Sequence, residues 1–291
     1  MSMRASWGMA LGALAVSGSA VVIGLSGASP GTASFYRCLF ALPPLAALAV
    51  RERRRHAVLS RRGTVLAAVA GVFFAGDMLL WTQAIIEVGA GLSTVLVNLQ
   101  VVLVPLLARL VDGEPVSRRY PPAMAIALLG VLLTSGLFEG GASGRDPVSG
   151  TVHAALAALC YSGFLFLLRR GGRTGAAVQT YTVAIAVAAL VSLAGGTFWH
   201  GVSLLPGWST VGWMLLVALC GQVVGWLLVA VYAPKLSSHV GAVLLLLTPV
   251  GALALGALVL GERPTPLQLL GGALVLAAAY TVAGPGLRRR E

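Results

Sequence analysis

Apolar residues run along this chain in long unbroken blocks, with neither the alternation of a half-buried strand nor the narrow stripe of a water-soluble helix. Ten blocks approach the roughly 20 residues a helix needs to cross hydrocarbon. They are 7–25, 31–50, 64–86, 90–111, 120–138, 149–168, 175–198, 209–232, 238–260 and 266–284. Lipid offers the backbone no hydrogen-bond partner, so each block must satisfy its own N–H and C=O groups as a helix. The pattern predicts an all-α membrane protein with ten transmembrane helices. The first block follows Arg4 as a signal sequence would, but it is expected to stay as a span, because nine spans would spoil the symmetry described below.

Composition narrows the class. The chain has 291 residues, 58% hydrophobic and only 10% charged, with a mean hydropathy of +0.91, which excludes an ordinary water-soluble domain. The net charge of +11 would suit nucleic acid only if the bases formed a patch mixed with aromatics. They lie instead in the gaps between blocks, which is how membrane topology is encoded. If the N-terminus is cytoplasmic, Arg4, the even-numbered connections and the C-terminal tail hold 17 of the 20 basic residues. Only Arg145 and Arg263 fall on the other side, and Arg37 falls inside the second block. Both termini are therefore expected in the cytoplasm, in a cytoplasmic (inner) membrane. Cys38, Cys160 and Cys220 are isolated within apolar blocks and read as small buried hydrophobes, with no metal or disulfide role.

An internal repeat follows. A shift of about 145 to 148 residues places Gly76, Asp77 and Trp81 on Gly221, Gln222 and Trp226, and Gln100-Val101 on Thr248-Pro249. The first block, with Ser17-Gly18-Ser19, falls on the sixth, with Tyr161-Ser162-Gly163, and GEP at Gly113–Pro115 answers GER at Gly261–Arg263. Two five-helix repeats are implied, residues 1–145 and 146–291, in one integrated bundle. Five is odd, so the repeats enter the membrane from opposite sides, with Glu114 cytoplasmic and Glu262 external. Inverted repeats of this kind place a binding site near the midplane, between halves that rock against each other.

These residues resemble a family. Pro30 followed by Arg37, Asp77 with Trp81, the run GAGLSTVLVNLQVVLV, and the closing GEP and GERP strings together resemble two EamA modules of the drug/metabolite transporter superfamily. The resemblance covers essentially the whole chain. It implies a central cavity lined mainly by spans 1, 3, 4, 6, 8 and 9, and transport of small metabolites or drugs, often as export. Pro115 departs from the pattern, standing where Arg263 supplies a basic residue in the second module.

Polar groups inside spans are costly and mark candidate sites. Asp77 lies about 9 residues from the outer end of its span, near 14 Å deep at about 1.5 Å per residue. Arg37 lies near 9 Å deep by the same measure of about 1.5 Å per residue, so the two can meet. They read either as a structural ion pair or as a site where Asp77 binds a substrate cation or a coupling proton. Thr94 and Asn98, four apart, share a helical face, and Gln100 is turned away from Asn98 by about 160° in a regular helix. Trp81 and Trp226 occupy matching positions, and with Tyr161 and Gln222 they read as cavity wall or as packing. Trp7, Trp199 and Trp208 read as interfacial anchors. Pro105 and Pro249 are expected to weaken spans 4 and 9 locally.

Two other classes compete. GxSG strings at Gly24–Gly27 and Gly141–Gly144, with His153, His200 or His239 as base, would suit an intramembrane serine protease. Both strings fall at loops, which argues against it. A channel or a scaffold lacks support, since nothing resembles a selectivity filter and a scaffold needs no midplane polar groups. The reading that remains is a secondary transporter, not an enzyme, moving a small organic solute, with export favoured and no cofactor. No phosphate-binding loop is present to supply ATP energy. The expected partners are the solute, the lipid bilayer and, if Asp77 titrates, a proton; nucleic acid is not among them, and oligomeric state stays open.

Overall fold

A computed structural model describes residues 3–55, 58–113, 118, 120–139, 144–171, 176–226, 228, 232, 244, 245 and 247–283. Among the described residues all regular structure is helical, with no strand. The helices are α1 (Met3–Ser26), α2 (Pro30–Arg55), α3 (Arg61–Val88), α4 (Ala90–Val97), α5 (Gln100–Asp112), α6 (Tyr120–Thr134), α7 (Pro147–Gly171) and α8 (Ala177–Phe198). Then come α9 (Trp208–Leu216), which continues as a π-helical stretch (Val217–Gly225), α10 (Leu247–Val259) and α11 (Pro266–Ala283). Among the described residues seven helical segments are long and apolar enough to cross a membrane, counting Ala90–Asp112 as one, and α6, α10 and Pro266–Thr281 are shorter apolar helices.

Local chemistry sets the ends. Proline opens α2, α7 and α11, where its missing N–H is no loss and its fixed φ suits the first turn. Ser60 accepts from Gly63 N at 3.1 Å at the start of α3, and Gly89, at φ +93°, ends it and allows α4 to begin at once. Glu52 of α2 caps a distant helix, accepting from Val178 N at 3.1 Å and Gln179 N at 2.9 Å at the start of α8. Small residues permit the crossings. A Cβ on Gly31 would sit 2.8 Å from Gly196 Cα, and one on Gly130 2.6 Å from Gly271 O, so α2 meets α8 and α6 meets α11 backbone to backbone.

The packing partners come in matching pairs when the first five segments are exchanged for the last five. α3 packs on α7 as α1 packs on the α9–π segment, and α3 packs on α8 as α2 packs on the α9–π segment. α1 meets α10 as α4 and α5 meet α7, while α2–α8, α4–α10 and α6–α11 are their own counterparts. The connections sort into two ends. At one, Ser29 Oγ donates to Gly201 O at 2.9 Å, Asp146 N to Glu87 O at 3.2 Å, and Glu139 meets Thr265. At the other, Glu52 meets α8 and Asp112 pairs with Arg170.

Two spans depart from the regular helices expected. The fourth is broken at Asn98-Leu99, where Asn98 N bonds Val95 O, Leu99 N bonds Leu96 O and Val101 N bonds Asn98 O, each at 3.0 Å. These are i to i+3 bonds, the tighter 3₁₀ turn. The break does not lie at Pro105, which sits inside α5; the carbonyl that Pro105 deprives of a partner belongs to Val101, past the break. The eighth span carries the nine-residue π stretch. Of the ninth, residues 238–243 and 246 lie outside the described residues.

Cys38 is buried, but Cys220 is exposed, on the outer side of the π stretch, so the expectation that all three cysteines are buried does not hold. Trp7 and Trp208 are exposed at helix starts. Trp199, just past the end of α8, lies against the rings of His153 and His200.

Candidate functional site

Four residues of α3, Phe74, Asp77, Met78 and Trp81, fall at the i, i+3, i+4, i+7 spacing of one helical face, and all four line a cavity of about 290 Å³ inside the bundle. Polar groups reach it from five segments: Ser19 on α1, Arg37 on α2, Asp77 on α3, Thr94, Asn98 and Gln100 around the α4–α5 break, and Thr248 on α10. The apolar wall includes Val97, Tyr161, Leu165, Trp226 and Leu245. Positions matched by the repeat both line it, Trp81 and Trp226, and Gln100 and Thr248.

The charges are held in an unexpected way. Arg37 is 5% exposed and Asp77 2%, yet they do not form the ion pair their depths allow. Among the described residues the ion pairs are His153–Glu87 and Arg170–Asp112. Arg37 turns instead to Gln222, donating from Nε at 3.2 Å and from Nη2 at 2.8 Å to Oε1. Its guanidinium also lies over the Trp81 ring, 5.6 Å from the centroid, a cation–π contact that offsets part of its lost hydration. Because arginine can only donate, Gln222 must present its oxygen to it. Gln222 itself is fully buried and belongs to the π stretch, whose wider turn shifts the register of the side chains after it. Gly221 beside it lies so close to Ser19 that a Cβ would collide with the Ser19 hydroxyl. Tyr181, which the sequence reading passed over, donates its hydroxyl to Gln222 O at 3.4 Å.

Four buried polar atoms here lack a hydrogen-bond partner among the described residues: Arg37 Nη1, Asp77 Oδ1, Trp81 Nε1 and Gln222 Nε2. Buried polar atoms are normally partnered, so this concentration marks a place built for something other than packing.

The α4–α5 break changes which residues face inward. Asn98 Nδ2 donates back to Thr94 O at 2.8 Å and Thr94 Oγ1 to Ala90 O at 2.7 Å. Asn98 and Gln100 both line the cavity. The 160° separation expected of a regular helix does not apply across a tightened turn.

One end of the cavity is covered. One and two turns beyond Trp81 on α3 come Ile85 and Val88, and a turn beyond Ser19 on α1 comes Ile23, all buried at 5% or less. A Cβ on Gly24 would meet the Leu260 side chain at 3.0 Å. The same end carries Glu262, whose carboxylate accepts from Ala90 N at 2.5 Å and Gly91 N at 3.0 Å, capping α4 from the other half of the chain. Negative charge is favoured at that helix terminus. Glycine at 89, 91 and 256 makes room, since a Cβ on any of them would press on this carboxylate. Glu114 lies outside the described residues.

A second polar cluster at this end was not foreseen around Glu87, which accepts from Gln83 Nε2 at 2.7 Å and meets His153 Nδ1 at 2.6 Å. His153 is thus tied to a carboxylate. Ser26 donates to Ile23 O at 2.7 Å. Ser143 and His239 lie outside the described residues.

Comparison with known proteins gives concordant matches. The sequence pattern of the EamA-like transporter family matches twice, over residues 4–136 and 148–284. An uncharacterized protein of Pseudomonas aeruginosa is 33% identical over 252 residues, covering 82% of each chain. A solved crystal structure of a protein 19% identical in sequence shares the fold, with a TM-score of 0.59 over 96% of both chains.

Proposed function

We propose a transport function from one premise: the chain belongs to the EamA-like transporter family. On this reading it is a secondary transporter that carries a small organic solute across the cytoplasmic membrane, working as an exporter by alternating access. Ten spans in two inverted repeats, 1–145 and 146–291, with both termini cytoplasmic, would give the basic connections their side. The solute path runs past Arg37, Asp77, Trp81, Thr94, Asn98, Tyr161 and Trp226, with Gln222, fully buried and outside the cavity lining, holding Arg37 from behind.

The observation that carries the proposal is the 290 Å³ cavity, which gathers polar groups from both halves of a bundle that is otherwise apolar. Costly polar groups in such a place are expected where a solute must be desolvated and held. Glu262 and the apolar residues above Trp81 serve as the closure at the external end. Purified protein in proteoliposomes tests this. Solute flux should saturate and show counterflow; flux that rises linearly with concentration, without counterflow, would indicate a channel and refute the proposal.

A further inference from the structure

We propose that the six arginines at the adjoining ends of α2 and α3 form a docking surface for anionic phospholipid headgroups, whatever solute the bundle carries.

The patch begins as a local excess of charge. Arg51, Arg53, Arg54 and Arg55 close α2 and Arg61 and Arg62 open α3, six cations within twelve residues. All six are exposed. The one acid among them, Glu52, is turned to the start of α8, where it accepts from Val178 N and Gln179 N. Among the described residues the ion pairs lie elsewhere, at His153–Glu87 and Arg170–Asp112, so none of the six guanidinium groups is paired with a carboxylate.

Two of the six stand against the helix they belong to. A helix carries partial positive charge at its N-terminus and partial negative charge at its C-terminus. The arginines in the last turn of α2 suit that field. Arg61 and Arg62 do not, because they occupy the first turn of α3, which holds no acidic residue. Their position is unfavourable for the helix by itself and becomes favourable when an anion lies over it.

The outward faces of the two helices say which anion. Along α3, Val72, Val69 and Val65 are exposed at the spacing of one helical face, and the stripe runs on to Arg62 and Arg61. Along α2, Leu39, Pro43, Ala47 and Val50 make a similar stripe that runs on to Arg54. Exposed apolar faces on a membrane bundle meet acyl chains, so arginines at their ends reach the layer where the same lipids carry their phosphates. A nucleic acid or an acidic protein would approach from water and needs no apolar stripe beside its arginines. The planar guanidinium grips phosphate oxygens two at a time, and basic clusters beside a span gather anionic lipid. A zwitterionic headgroup brings its own cation, which six unpaired arginines repel. Residues 56–60 join the two ends, which therefore lie within about 21 Å of each other at about 3.5 Å per residue, close enough for neighbouring headgroups to be held together.

The test is a thermal-shift titration of the detergent-purified full-length protein with short-chain phosphatidylglycerol and phosphatidylcholine of matched chains, below their micelle-forming concentrations. Each arginine near a lipid surface is worth about fivefold in affinity. Phosphatidylglycerol should therefore bind at least about tenfold tighter than phosphatidylcholine, and the preference should shrink as salt is raised. The triple change Arg54→Gln, Arg61→Gln and Arg62→Gln should lose at least about tenfold in phosphatidylglycerol affinity. The triple change Arg288→Gln, Arg289→Gln and Arg290→Gln removes the same charge from the C-terminal tail and should lose less than about threefold. If the first triple variant fails to fold, Arg62→Gln alone, with an expected loss of about fivefold, carries the localisation. Equal binding of the two lipids, or equal losses from the patch and the tail, overturns the inference. So does competition by inorganic phosphate or a short RNA oligonucleotide as strong as that of phosphatidylglycerol at equal phosphate concentration, which would make the patch a site for soluble anions.

Discussion

Replacing Gln222 by leucine removes the only side-chain acceptor that the Arg37 guanidinium has among the described residues. Leucine fills a similar volume, so the change leaves the packing of the π stretch nearly intact and isolates the loss of two charged hydrogen bonds. Breaking a buried charged contact costs about 3–5 kcal/mol, and the lower figure applies because the Trp81 ring still covers Arg37. A loss of about 3 kcal/mol lowers Tm by roughly 6–12 °C, at about 2–4 °C per kcal/mol in a protein of this size. The assay is thermal unfolding of the detergent-purified protein at one fixed scan rate, since membrane-protein unfolding is commonly irreversible. The double variant Arg37→Met with Gln222→Leu removes the charge as well, and should recover at least about 1.5 kcal/mol relative to the sum of the two single changes. A Gln222→Leu protein within about 2 °C of wild type, or a double variant whose losses simply add, would refute the claim that Gln222 holds the guanidinium.

Other expectations follow from the same geometry. Glu262→Ala should cost about 1–2 kcal/mol through the uncapped α4 N-terminus, seen as a lower Tm and faster amide exchange at Ala90 and Gly91. Gly91→Ala should cost about 1–3 kcal/mol by overpacking, because its Cβ would lie 2.9 Å from Leu253 Cα and against Glu262. Gly18→Ala should gain roughly 0.5–1 kcal/mol, since alanine is the better helix former and nothing lies within 4 Å of that Cβ; a Tm ordering other than Gly18→Ala above wild type above Gly91→Ala contradicts both. Leu205→Cys and Arg54→Cys, in a cysteine-free background, should be labelled by an impermeant maleimide from opposite sides of the membrane, because the two positions are exposed at opposite ends of the bundle. At exposed Asp146, the Ser149 hydroxyl and N–H hold the carboxyl below the usual carboxylate range; its stabilisation is present above the ordinary Asp pKa and is lost as pH falls through the folded-state value. Asp146→Asn should therefore flatten the acid limb of a Tm-against-pH profile.

The order of the apolar helices and the doubling of the chain were legible in the sequence because hydrophobic length and small-residue spacing are properties of a single segment. Asp77, Arg37 and the two matched tryptophans were legible as a group because each is out of place in lipid. What the pattern could not supply was azimuth. Depth along a helix placed Arg37 within reach of Asp77, but the side of α2 from which Arg37 projects sends it to Gln222, a residue 185 positions away. The α4–α5 break was also hidden, since Asn98-Leu99 sits inside a block apolar enough for a regular span. So was the π stretch, which Gly221 against Ser19 accompanies and which no local motif announces. Glu262 could be recognised as a recurring letter, yet its job as the cap of α4 depends on a contact across 171 and 172 residues of chain.

That cap has a consequence for how the two halves can be recombined. One carboxylate from the second half is seated among Gly89 and Gly91 of the first half and Gly256 of its own, so the fit is a joint specification written in two distant places. A chimaera joining residues 1–145 of this chain to the later half of a relative keeps the cap on α4 only if that half brings a glutamate of the same reach. The halves can be exchanged as cassettes without that loss only when the lock and its recess travel together.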